Sequence, residues 1–530
     1  MFGVFLWLAK LSSKIKNIIA AVLSGLLLTA SFPKIGIDWL AWFALIPLLY
    51  ALRQQSSAGG FRIGFIAGLS HYLTLLYWLV PVMQTYGFLP WYLSITILLL
   101  FSAVLALFVA LFSMIISYLG AKPWHGVILI SPVWIAIEYV RGIIFTGFPW
   151  ELLGYSQFER LHLIQIADIF GVYGVSFLIT LSNTTVFFCL LYFAKKQWQG
   201  TAISTRLAAV SVLVFVLSMV WTLAYGYRRL DSLDQLMAKA PQTRITVVQG
   251  NIDQAIKWDR SLRDATIMTY RRLSLSAVSD RPDLVIWPES AAPFYFLREN
   301  EPTEMVMDAI GRVNTDFLLG SPAFNRKNNK VEYYVSAYLI NPQGKWIQYN
   351  KAHLVPFGEY VPLKKWLPFL GKIVAQVGDF RPGQKGNAIP WKSEKLGIQI
   401  CYEIIFPDLS RAMVKNDATL LINITNDAWF GKTSGPYQHF SMTVFRAVEN
   451  RRALARSANT GISGFIDPAG RILASTPLLE EAVVTRSLPL LNLKSIYTRF
   501  GDVFAWACLI VTLFAILLNP GKLLFRGKSR

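Results

Sequence analysis

Long apolar runs separated by short polar segments dominate the N-terminal part of the chain and return near its C-terminus. A helix that crosses a bilayer needs about 20 mostly apolar residues. The lysines before the first run also suit a cleaved signal peptide, but the runs that follow favour an uncleaved anchor. The pattern predicts a polytopic α-helical membrane domain of eight transmembrane helices, the first two of them short: Ile18–Phe32, Trp39–Leu52, Phe61–Val80, Trp91–Leu119, Gly126–Val140, Val172–Ala194, Leu207–Tyr227 and Val503–Leu518.

The distribution of lysine and arginine predicts the orientation of these helices. With the N-terminus in the cytoplasm, the short cytoplasmic segments hold thirteen basic residues and the short external loops hold three. Cytoplasmic segments of membrane proteins carry the excess of Lys and Arg. We therefore expect both termini in the cytoplasm, transmembrane helices 1–7 in residues 1–227, an extracytoplasmic domain in 228–502, and helix 8 with a cytoplasmic tail in 503–530.

The segment 228–502 has a different pattern, in which short β-branched runs alternate with longer amphipathic stretches. Helical spacing of apolar residues covers Ser261–Val278 and Tyr437–Ala455. Two turns of the form N/D-P-x-G, Asn341–Gly344 and Asp467–Gly470, predict hairpins of similar build in one sandwich. Together these features predict an α/β domain with strands at Ile245–Val248, Leu284–Trp287, Phe317–Leu319, Tyr334–Ile340, Lys345–Asn350, Leu396–Ile400 and Thr419–Ile424.

Composition and charge narrow the class of protein. Hydrophobic residues make up 54% of the chain and charged residues only 15%, where a soluble protein carries about 25% charge, so a purely soluble enzyme is disfavoured. The formal net charge of +20 follows from the cytoplasmic excess and a modest surplus in the insert. No basic motif interleaved with aromatic residues indicates nucleic acid, and we interpret Arg271-Arg272 and Arg451-Arg452 as solvent-exposed helix faces.

Five ionisable residues in or near the predicted spans are His71, Glu138, Arg141, Glu151 and Asp168. Such residues are costly in hydrocarbon and mark functional candidates. Glu138 and Arg141 are three positions apart on one helix, and we favour the interpretation that they neutralise each other near its end. The spans lack Gly/Pro-broken helices in matching halves, which disfavours a transporter.

Of the three cysteines, Cys401 is the one outside the predicted spans. It follows the predicted strand Leu396–Ile400, and reactive groups gather at the carboxyl ends of strands in α/β sheets. A thiol needs a base or a cation to become an efficient nucleophile. A single thiol at a strand end is therefore either buried and inert or kept for chemistry.

Two kinds of partner for this thiol are present in the insert. His353 or His439 would complete a Cys–His pair. Glu289 and Lys351 instead follow predicted strands as Cys401 does, and a carboxylate with a fixed ammonium would accept the proton and stabilise an oxyanion. The histidines are not spaced as ligands with a Cys or carboxylate cluster, so we expect no metal and no cofactor.

Several sequence strings carry a resemblance to known families. WPES with Glu289, NKAHLVPFGEYVP with Lys351 and Glu359, and ICYEIIFPD with Cys401 resemble the nitrilase superfamily, whose Glu-Lys-Cys triads lie on an αββα sandwich. This resemblance covers residues 243–487. With FPWELLGYSQ, VQGNIDQAIKWD, NDAWFG and the flanking helices, essentially the whole chain is similar to the apolipoprotein N-acyltransferase family.

The resemblance implies a reaction and roles for the three residues. The family transfers an acyl chain from a phospholipid, typically phosphatidylethanolamine, to the α-amino group of the diacylglyceryl-cysteine that begins an apolipoprotein, the last step of lipoprotein maturation. Cys401 would attack the ester carbonyl and form a thioester, Glu289 would handle the protons, and Lys351 would stabilise the oxyanion.

The same resemblance implies supporting residues and a location. Glu359 would orient Lys351 or polarise the site, Glu403 matches a further family position, and the backbone N–H of Tyr402 would donate to an oxyanion. The enzyme would be a monomer in the bacterial cytoplasmic (inner) membrane, with its catalytic domain in the periplasm.

A lipid ester lies at the membrane interface, so the catalytic domain needs apolar surface beside the bilayer. Ala291–Leu297 and the segment Leu363–Val377, where lysines adjoin aromatic residues, have that composition. We expect 363–377 to be a lipid-facing arm. Candidate lipid contacts are Trp258, Trp366, Phe369, Leu370, Trp429 and Phe430.

Two other functions remain open. A membrane-tethered amidase of the nitrilase type would use the same triad with water as the second acceptor, although eight spans are excessive for a tether. A permease or receptor would use the insert to bind a ligand without chemistry, and replacing Cys401 by Ser would then leave its function unchanged.

Overall fold

A computed structural model describes residues 12–120, 122–254, 260–327, 330–361 and 379–519. The chain splits into two compact units. The helical unit consists of Met1–Tyr227 and Asp502–Arg530, and the sandwich unit consists of Arg228–Gly501.

Helices form nearly all of the helical unit. A short hairpin of β1 (Gln197–Trp198) and β2 (Thr201–Ala202) follows the ninth helix. The last helix of the chain is Val503–Leu517, and 3₁₀ turns occupy Asp38–Trp42 and Leu153–Gln157. The remaining helices are α1 (Ser13–Ala30), α2 (Ile46–Leu52), α3 (Ser57–Leu75), α4 (Leu79–Thr85), α5 (Trp91–Leu119), α6 (Pro123–Ile143), α7 (Leu161–Ile164), α8 (Ala167–Phe170), α9 (Val172–Phe193) and α10 (Thr205–Lys239), of which the residues from Arg228 onward belong to the sandwich unit.

The apolar runs predicted as spans all fall on helices, but their lengths differ. Among the described residues, five helices are long and apolar enough to cross a membrane, or six if α3 and α4, bent by 51° at their junction, form one span. The predicted runs Trp39–Leu52 and Val503–Leu518 correspond to shorter apolar helices, Asp38–Leu52 and Val503–Leu517. A membrane domain of several long apolar helices is therefore present, and the number eight stays a prediction.

Small residues allow α3 and α5 to pack closely. A methyl group added at Gly64 of α3 would lie 2.6 Å from the carbonyl oxygen of Val109 and 2.5 Å from Cβ of Ser113, both in α5. Gly60 and Gly68, one turn away on either side, meet the same helix in the same way. Membrane helices gain van der Waals contact by such close approach, because lipid is as apolar as their own side chains.

Glu138 and Arg141 are buried at the end of α6, where both contact the segment Phe148–Gln157. Glu138 Oε1 accepts a hydrogen bond of 2.8 Å from the backbone N–H of Leu153. Arg141 donates to the carbonyl oxygen of Trp150 over 3.0 Å. The two side chains therefore also anchor this buried loop, a role beyond the mutual neutralisation that their spacing suggests.

The sandwich unit contains the amphipathic helices and the strands predicted for the insert. Its helices are α11 (Arg260–Ser276), α12 (Asn300–Val313), α13 (Pro407–Lys415), α14 (Gly435–Asn450) and α15 (Ile496–Phe500). Its strands are β3 (Gln242–Gln249), β4 (Leu284–Ile286), β5 (Asp316–Lys327), β6 (Lys330–Ile340), β7 (Trp346–Asn350), β8 (Ile389–Trp391), β9 (Glu394–Ile400), β10 (Leu420–Thr425), β11 (Ala453–Ala458), β12 (Gly464–Ile466), β13 (Ile472–Ser475) and β14 (Ala482–Pro489).

Within the described ranges, these strands form two six-stranded sheets of the same build. The first has the order β14-β3-β4-β5-β6-β7 and the second the order β13-β12-β11-β10-β9-β8. Each has three parallel strands at its centre, a hairpin on one side and an antiparallel strand on the other. The two predicted N/D-P-x-G turns close the β6–β7 and β12–β13 hairpins, one in each sheet, which confirms that prediction.

Both faces of the central strands are covered. Every residue of β10 and β11 is buried, as expected for parallel strands enclosed by layers on both sides. The Ser457 hydroxyl donates to the carbonyl oxygens of Val248 and Ile286, so the ends of the two sheets are tied together. On the first sheet, Ile267 of α11 and Ile310 of α12 pack with Trp287 and its neighbours in one core cluster.

Three interpretations from the sequence are wrong. The predicted helix Tyr437–Ala455 ends at Asn450, because Arg451 takes a left-handed conformation (φ 51°) and the next residues form β11. Arg451 and Arg452 are fully buried, not solvent-exposed, and donate to carbonyl oxygens of Pro468, Ala418 and Leu493. Ala291–Leu297 is no bilayer-facing surface, since Ala291, Ala292, Phe294 and Phe296 belong to the core cluster.

Candidate active site

Three strands of the sandwich unit end beside the candidate triad. Glu289 lies just past β4, Lys351 directly follows β7, and Cys401 begins the 3₁₀ turn that follows β9. Lys351 Nζ is 3.8 Å from Glu289 Oε1, and both side chains act electrostatically on the Cys401 thiol. The structure thus brings together the three residues that the sequence singled out.

Lys351 is a buried ammonium held between two carboxylates. Its Nζ donates to Glu359 Oε1 over 2.5 Å, while Glu359 Oε2 accepts from the backbone N–H of Val355. Burial by itself would lower the pKa of Lys351, but Glu359 and Glu289 outweigh burial and raise it above its ordinary value. The side chain therefore stays charged and fixed in position.

Cys401 occupies a strained turn. Its φ of 52° lies in the left-handed region, which non-glycine residues enter at a cost and which recurs at functional sites. Burial and the nearby Glu289 raise the pKa of the thiol above its ordinary value, while Lys351 acts in the opposite direction. The resting side chain is consequently a protonated thiol, and a base must remove its proton before it can attack.

Glu289 is placed by residues from two of the matched sequence strings. The backbone N–H of Asn426, in NDAWFG, donates to Glu289 Oε2 over 3.0 Å. The Asn426 side chain in turn contacts Gln254, in VQGNIDQ, and Asn459. Both strings can be recognised in the sequence, but neither indicates Asn426 or Gln254 as a site residue, because a string does not show which distant residue it contacts.

Glu403 links the loops that carry Lys351 and Cys401. Its Oε1 accepts from the backbone N–H groups of Ala352 and His353, and its Oε2 accepts from that of Ile400. The Tyr349 hydroxyl donates to the same carboxyl group. Burial raises the pKa of Glu403 to about 7, although these backbone donors favour the ionised form. Glu403 therefore connects the loop that carries Lys351 to the turn that carries Cys401.

Of the two histidines considered as bases, His353 packs against aromatic rings, and His439 contacts Asp427 and the backbone of Cys401. The His353 ring packs against Phe406, with ring centroids 3.9 Å apart, and beside Tyr402. His439 Nδ1 lies 3.0 Å from Asp427 Oδ1. Burial lowers the pKa of both rings, so both are neutral at neutral pH. The geometry favours the Glu–Lys–Cys arrangement over a Cys–His pair.

The predicted lipid contacts divide into two groups. Trp429, 39% exposed, and Phe430 lie in the 3₁₀ turn Asp427–Phe430, directly after the Asn426 that binds Glu289. The predicted contacts Trp258, Trp366, Phe369 and Leu370, and the predicted arm 363–377, lie outside the described residues.

Comparison with known proteins gives matches in both units. The family model for the apolipoprotein N-acyltransferase N-terminal domain matches residues 24–185, and the carbon-nitrogen hydrolase model matches residues 244–497. An apolipoprotein N-acyltransferase of Geobacter metallireducens is 45% identical over 93% of this chain and 93% of its own length. That of Chlorobaculum tepidum is 31% identical over 92% and 93%, and that of Haemophilus influenzae 30% over 98% and 97%.

Among solved structures, an amidase from Nesterenkonia sp. matches with a TM-score of 0.35 and 19% identity over 47% of this chain and 90% of its own. The carbon-nitrogen hydrolase match and the paired sheets described above make the sandwich unit a nitrilase-like α/β domain.

Proposed function

Because the chain belongs to the apolipoprotein N-acyltransferase family and is an acyltransferase, we propose that it takes its acyl chain from a phospholipid, phosphatidylethanolamine in the first instance. The acceptor is the α-amino group of the diacylglyceryl-cysteine that begins an apolipoprotein. One observation carries the proposal: a buried, charged lysine lies between two carboxylates beside a protonated thiol. This arrangement suits acyl transfer through a covalent intermediate.

In the first half of the reaction, Glu289 takes the proton of Cys401 as Sγ attacks the ester carbonyl. Lys351 stabilises the oxyanion that forms, because its ammonium is fixed and needs no reorganisation. The C–O bond breaks, Glu289 passes the proton to the departing alkoxide, and a lysophospholipid leaves. Cys401 then carries the acyl chain as a thioester.

In the second half, the amine of the lipoprotein attacks the thioester carbonyl. Glu289 accepts a proton from the amine, the C–S bond breaks, and the proton returns to Sγ. The products are the N-acylated lipoprotein and the free thiol. A covalent intermediate lets the two large lipid substrates react in turn without binding together.

Two supporting residues fit this scheme. Glu359 holds the Lys351 ammonium at 2.5 Å, and Glu403 ties the Lys351 loop to the nucleophile turn through backbone N–H groups. The backbone N–H of Tyr402, next to the nucleophile, is a second oxyanion donor in this proposal. We assign Trp429 and Phe430, with Trp258, Trp366, Phe369 and Leu370, to contacts with lipid.

The setting of the reaction is the bacterial cytoplasmic membrane. In this proposal the chain has eight spans, both termini lie in the cytoplasm, the catalytic domain, 228–502, lies in the periplasm, and residues 1–227 and 503–530 form the membrane domain. The excess of basic residues on the cytoplasmic side supports this orientation.

Product analysis tests the proposal. The purified full-length protein is incubated with phosphatidylethanolamine carrying a labelled acyl chain and with a diacylglyceryl lipopeptide. We expect label in the lipopeptide amide together with lysophospholipid. Release of the label as free fatty acid while the lipopeptide stays unmodified would instead indicate a hydrolase of the amidase type.

A further inference from the structure

Thr425 lies beside the candidate nucleophile on the neighbouring strand. β9 and β10 are parallel with Ile400 opposite Ile424, so Cys401 and Thr425 each come directly after a paired residue at the same end of the sheet. Thr425 is fully buried, and its hydroxyl is close enough to the Cys401 thiol to lower the pKa of that thiol, against the effect of burial. No role was expected for Thr425 from the sequence.

The Thr425 hydroxyl has a second partner. Its Oγ1 donates to Asp427 Oδ1 over 2.9 Å. Asp427 also contacts His439 Nδ1 at 3.0 Å and Arg456 Nη2 at 2.7 Å, and we call Asp427, His439 and Arg456 the Asp427 cluster. All three side chains are buried. A methyl group at Gly461 would come within 2.4 Å of Asp427 Oδ2, so the cluster is tightly enclosed.

The charge of the Asp427 cluster decides which way the hydroxyl points. Burial by itself would raise the pKa of Asp427, but Arg456 and His439 outweigh burial and hold it below its ordinary value. Asp427 is therefore a permanent acceptor. The single hydroxyl proton of Thr425 thus has two possible acceptors, the Asp427 carboxylate and the sulfur of Cys401.

While Cys401 is a thiol, the carboxylate is the stronger acceptor, so the hydroxyl proton points to Asp427. When the C–S bond of a thioester breaks, the electron pair passes to Sγ and a second anion appears beside the same hydroxyl. Asp427 keeps His439 and Arg456 as partners, so the hydroxyl can turn to the sulfur without leaving a buried carboxylate unpaired.

We propose that Thr425 is a further catalytic residue, whose hydroxyl donates to the Cys401 thiolate as it leaves the acyl group, and that the Asp427 cluster positions this hydroxyl. The inference rests on the proposed function. In the aminolysis step, nitrogen bonds to the acyl carbon, its proton passes to Glu289, and the C–S electron pair goes to Sγ. Glu289 then returns that proton to Sγ. Thr425 only donates a hydrogen bond, so its own proton is not consumed.

The charged and titratable groups that face this reaction come from each surrounding element. In the part of the chain that the structure describes, they are Glu289 after β4, Lys351 and Glu359 after β7, Tyr402 and Glu403 in the nucleophile turn, Asp427 after β10, His439 in α14 and Arg456 in β11. The pH dependence of Cys401 alkylation is therefore influenced by all of these groups. For this reason the decisive comparison is between variants that leave every one of them in place.

Thr425→Val and Thr425→Ser form the matched pair, because valine has the shape of threonine without the hydroxyl and serine keeps the hydroxyl. We expect Thr425→Val to slow transfer from the preformed acyl-enzyme to a diacylglyceryl lipopeptide by about 10- to 100-fold, the worth of a hydrogen bond to a charged group. Iodoacetamide alkylation of the resting Cys401 should shift to higher pH in Thr425→Val. Thr425→Ser should stay within about threefold of wild type in both measurements.

The outcomes separate this inference from the proposed function. If wild-type protein forms no acyl-enzyme, the proposed function fails. If the wild-type protein forms the acyl-enzyme, and Thr425→Val discharges its own acyl-enzyme at the wild-type rate with an unchanged pH profile of alkylation, the role of Thr425 is refuted. Should Thr425→Val fail to fold, Thr425→Ala removes the hydroxyl without adding bulk. A wild-type rate and profile for Thr425→Ala would refute the role equally.

Discussion

At the scale of single residues, the electrostatics of Cys401 lead to a prediction that separates reactivity from catalysis. Burial and Glu289 raise the pKa of the thiol, and Lys351 opposes them. Replacing Glu289 by Gln removes the negative charge, so the pKa falls and more thiolate is present at a given pH. We expect Glu289→Gln to abolish acyl transfer yet to be alkylated by iodoacetamide faster than wild type at pH 7–8, with the whole rate-against-pH curve moved to lower pH. Slower alkylation of Glu289→Gln would contradict the assigned electrostatics.

Lys351 gives a second prediction at this scale. Replacing it by Met leaves the buried Glu289 and the partly buried Glu359 without the cation that both contact. Breaking a buried ion pair on one side costs about 3–5 kcal/mol of stability, and loss of one oxyanion donor costs about 10²–10³-fold in rate. Denaturant unfolding and lipopeptide acylation measure the two effects.

Lys392 provides the control for that variant. It is half exposed and pairs with Asp283 at the surface. Lys392→Met should change the free energy of unfolding by less than about 1 kcal/mol and leave the rate unchanged. If both variants lost stability and acylation rate to the same extent, the burial of Lys351 would have no special importance for either property.

Much of the residue-level site was predictable from the chain. Glu289, Lys351 and Cys401 stand just past the ends of predicted strands, and the strands bring them together. Asn426 and Thr425 were not predictable in this way, because their importance comes from contacts with Glu289 and Cys401, which depend on strand register. Their catalytic and positioning roles remain predictions to be measured.

At the scale of elements, glycine positions show where backbone must approach backbone. In β5, a methyl group at Gly320 would lie 2.5 Å from Ser290 N and 2.7 Å from Glu289 Cα. Gly320→Ala should therefore displace the Glu289 turn, and a misplacement of about 1 Å can cost about 100-fold in rate. The measurement is the steady-state acylation rate of a variant that remains folded.

Gly311, in α12, is the matched control for Gly320. A methyl group there would meet nothing within 4 Å. Alanine is favoured over glycine inside a helix by about 1 kcal/mol, so Gly311→Ala should keep full activity and unfold at a slightly higher temperature. Activity of Gly320→Ala equal to that of Gly311→Ala would contradict the close packing at the Glu289 turn.

Element boundaries were harder to predict than element types. The strand runs and both hairpins agree with the structure, since short β-branched runs and N/D-P-x-G turns are local signals. The prediction for Tyr437–Ala455 was wrong because the polar residues 449–452, where α14 ends, have the composition of an exposed helix face, and β11, which is buried throughout, follows them directly. Arg451 and Arg452 likewise resemble surface residues in the sequence. Their burial is explained by hydrogen bonds to carbonyl oxygens of residues that are distant in the sequence.

At the scale of the whole molecule, the orientation across the membrane is open to a direct test. In a Cys401→Ser background, Glu481→Cys places a reactive thiol on the exposed surface of the sandwich unit, and Lys195→Cys places one after α9. A membrane-impermeant maleimide applied to intact spheroplasts should label position 481 and should label position 195 only after permeabilisation. The reverse pattern would overturn the proposed topology.

The composition of the whole chain predicted a membrane protein with an α/β insert, and the two units agree with that. The number of spans is less predictable, because a short apolar helix has the same composition as part of a long one. Composition also gave the wrong location for Ala291–Leu297, whose Phe294 and Phe296 belong to the core of the sandwich unit. Apolar character indicates that a segment is buried, but it does not indicate whether lipid or other parts of the protein surround it.

In the proposed mechanism Cys401 carries the acyl chain. The most direct measurement is mass spectrometry of the Cys401 peptide after the purified protein has been incubated with phosphatidylethanolamine and no acceptor. We predict one acyl chain on Cys401, labile to neutral hydroxylamine, formed together with an equal amount of lysophospholipid and discharged when a diacylglyceryl lipopeptide is added. An unmodified Cys401 in protein that still acylates the lipopeptide would contradict the account.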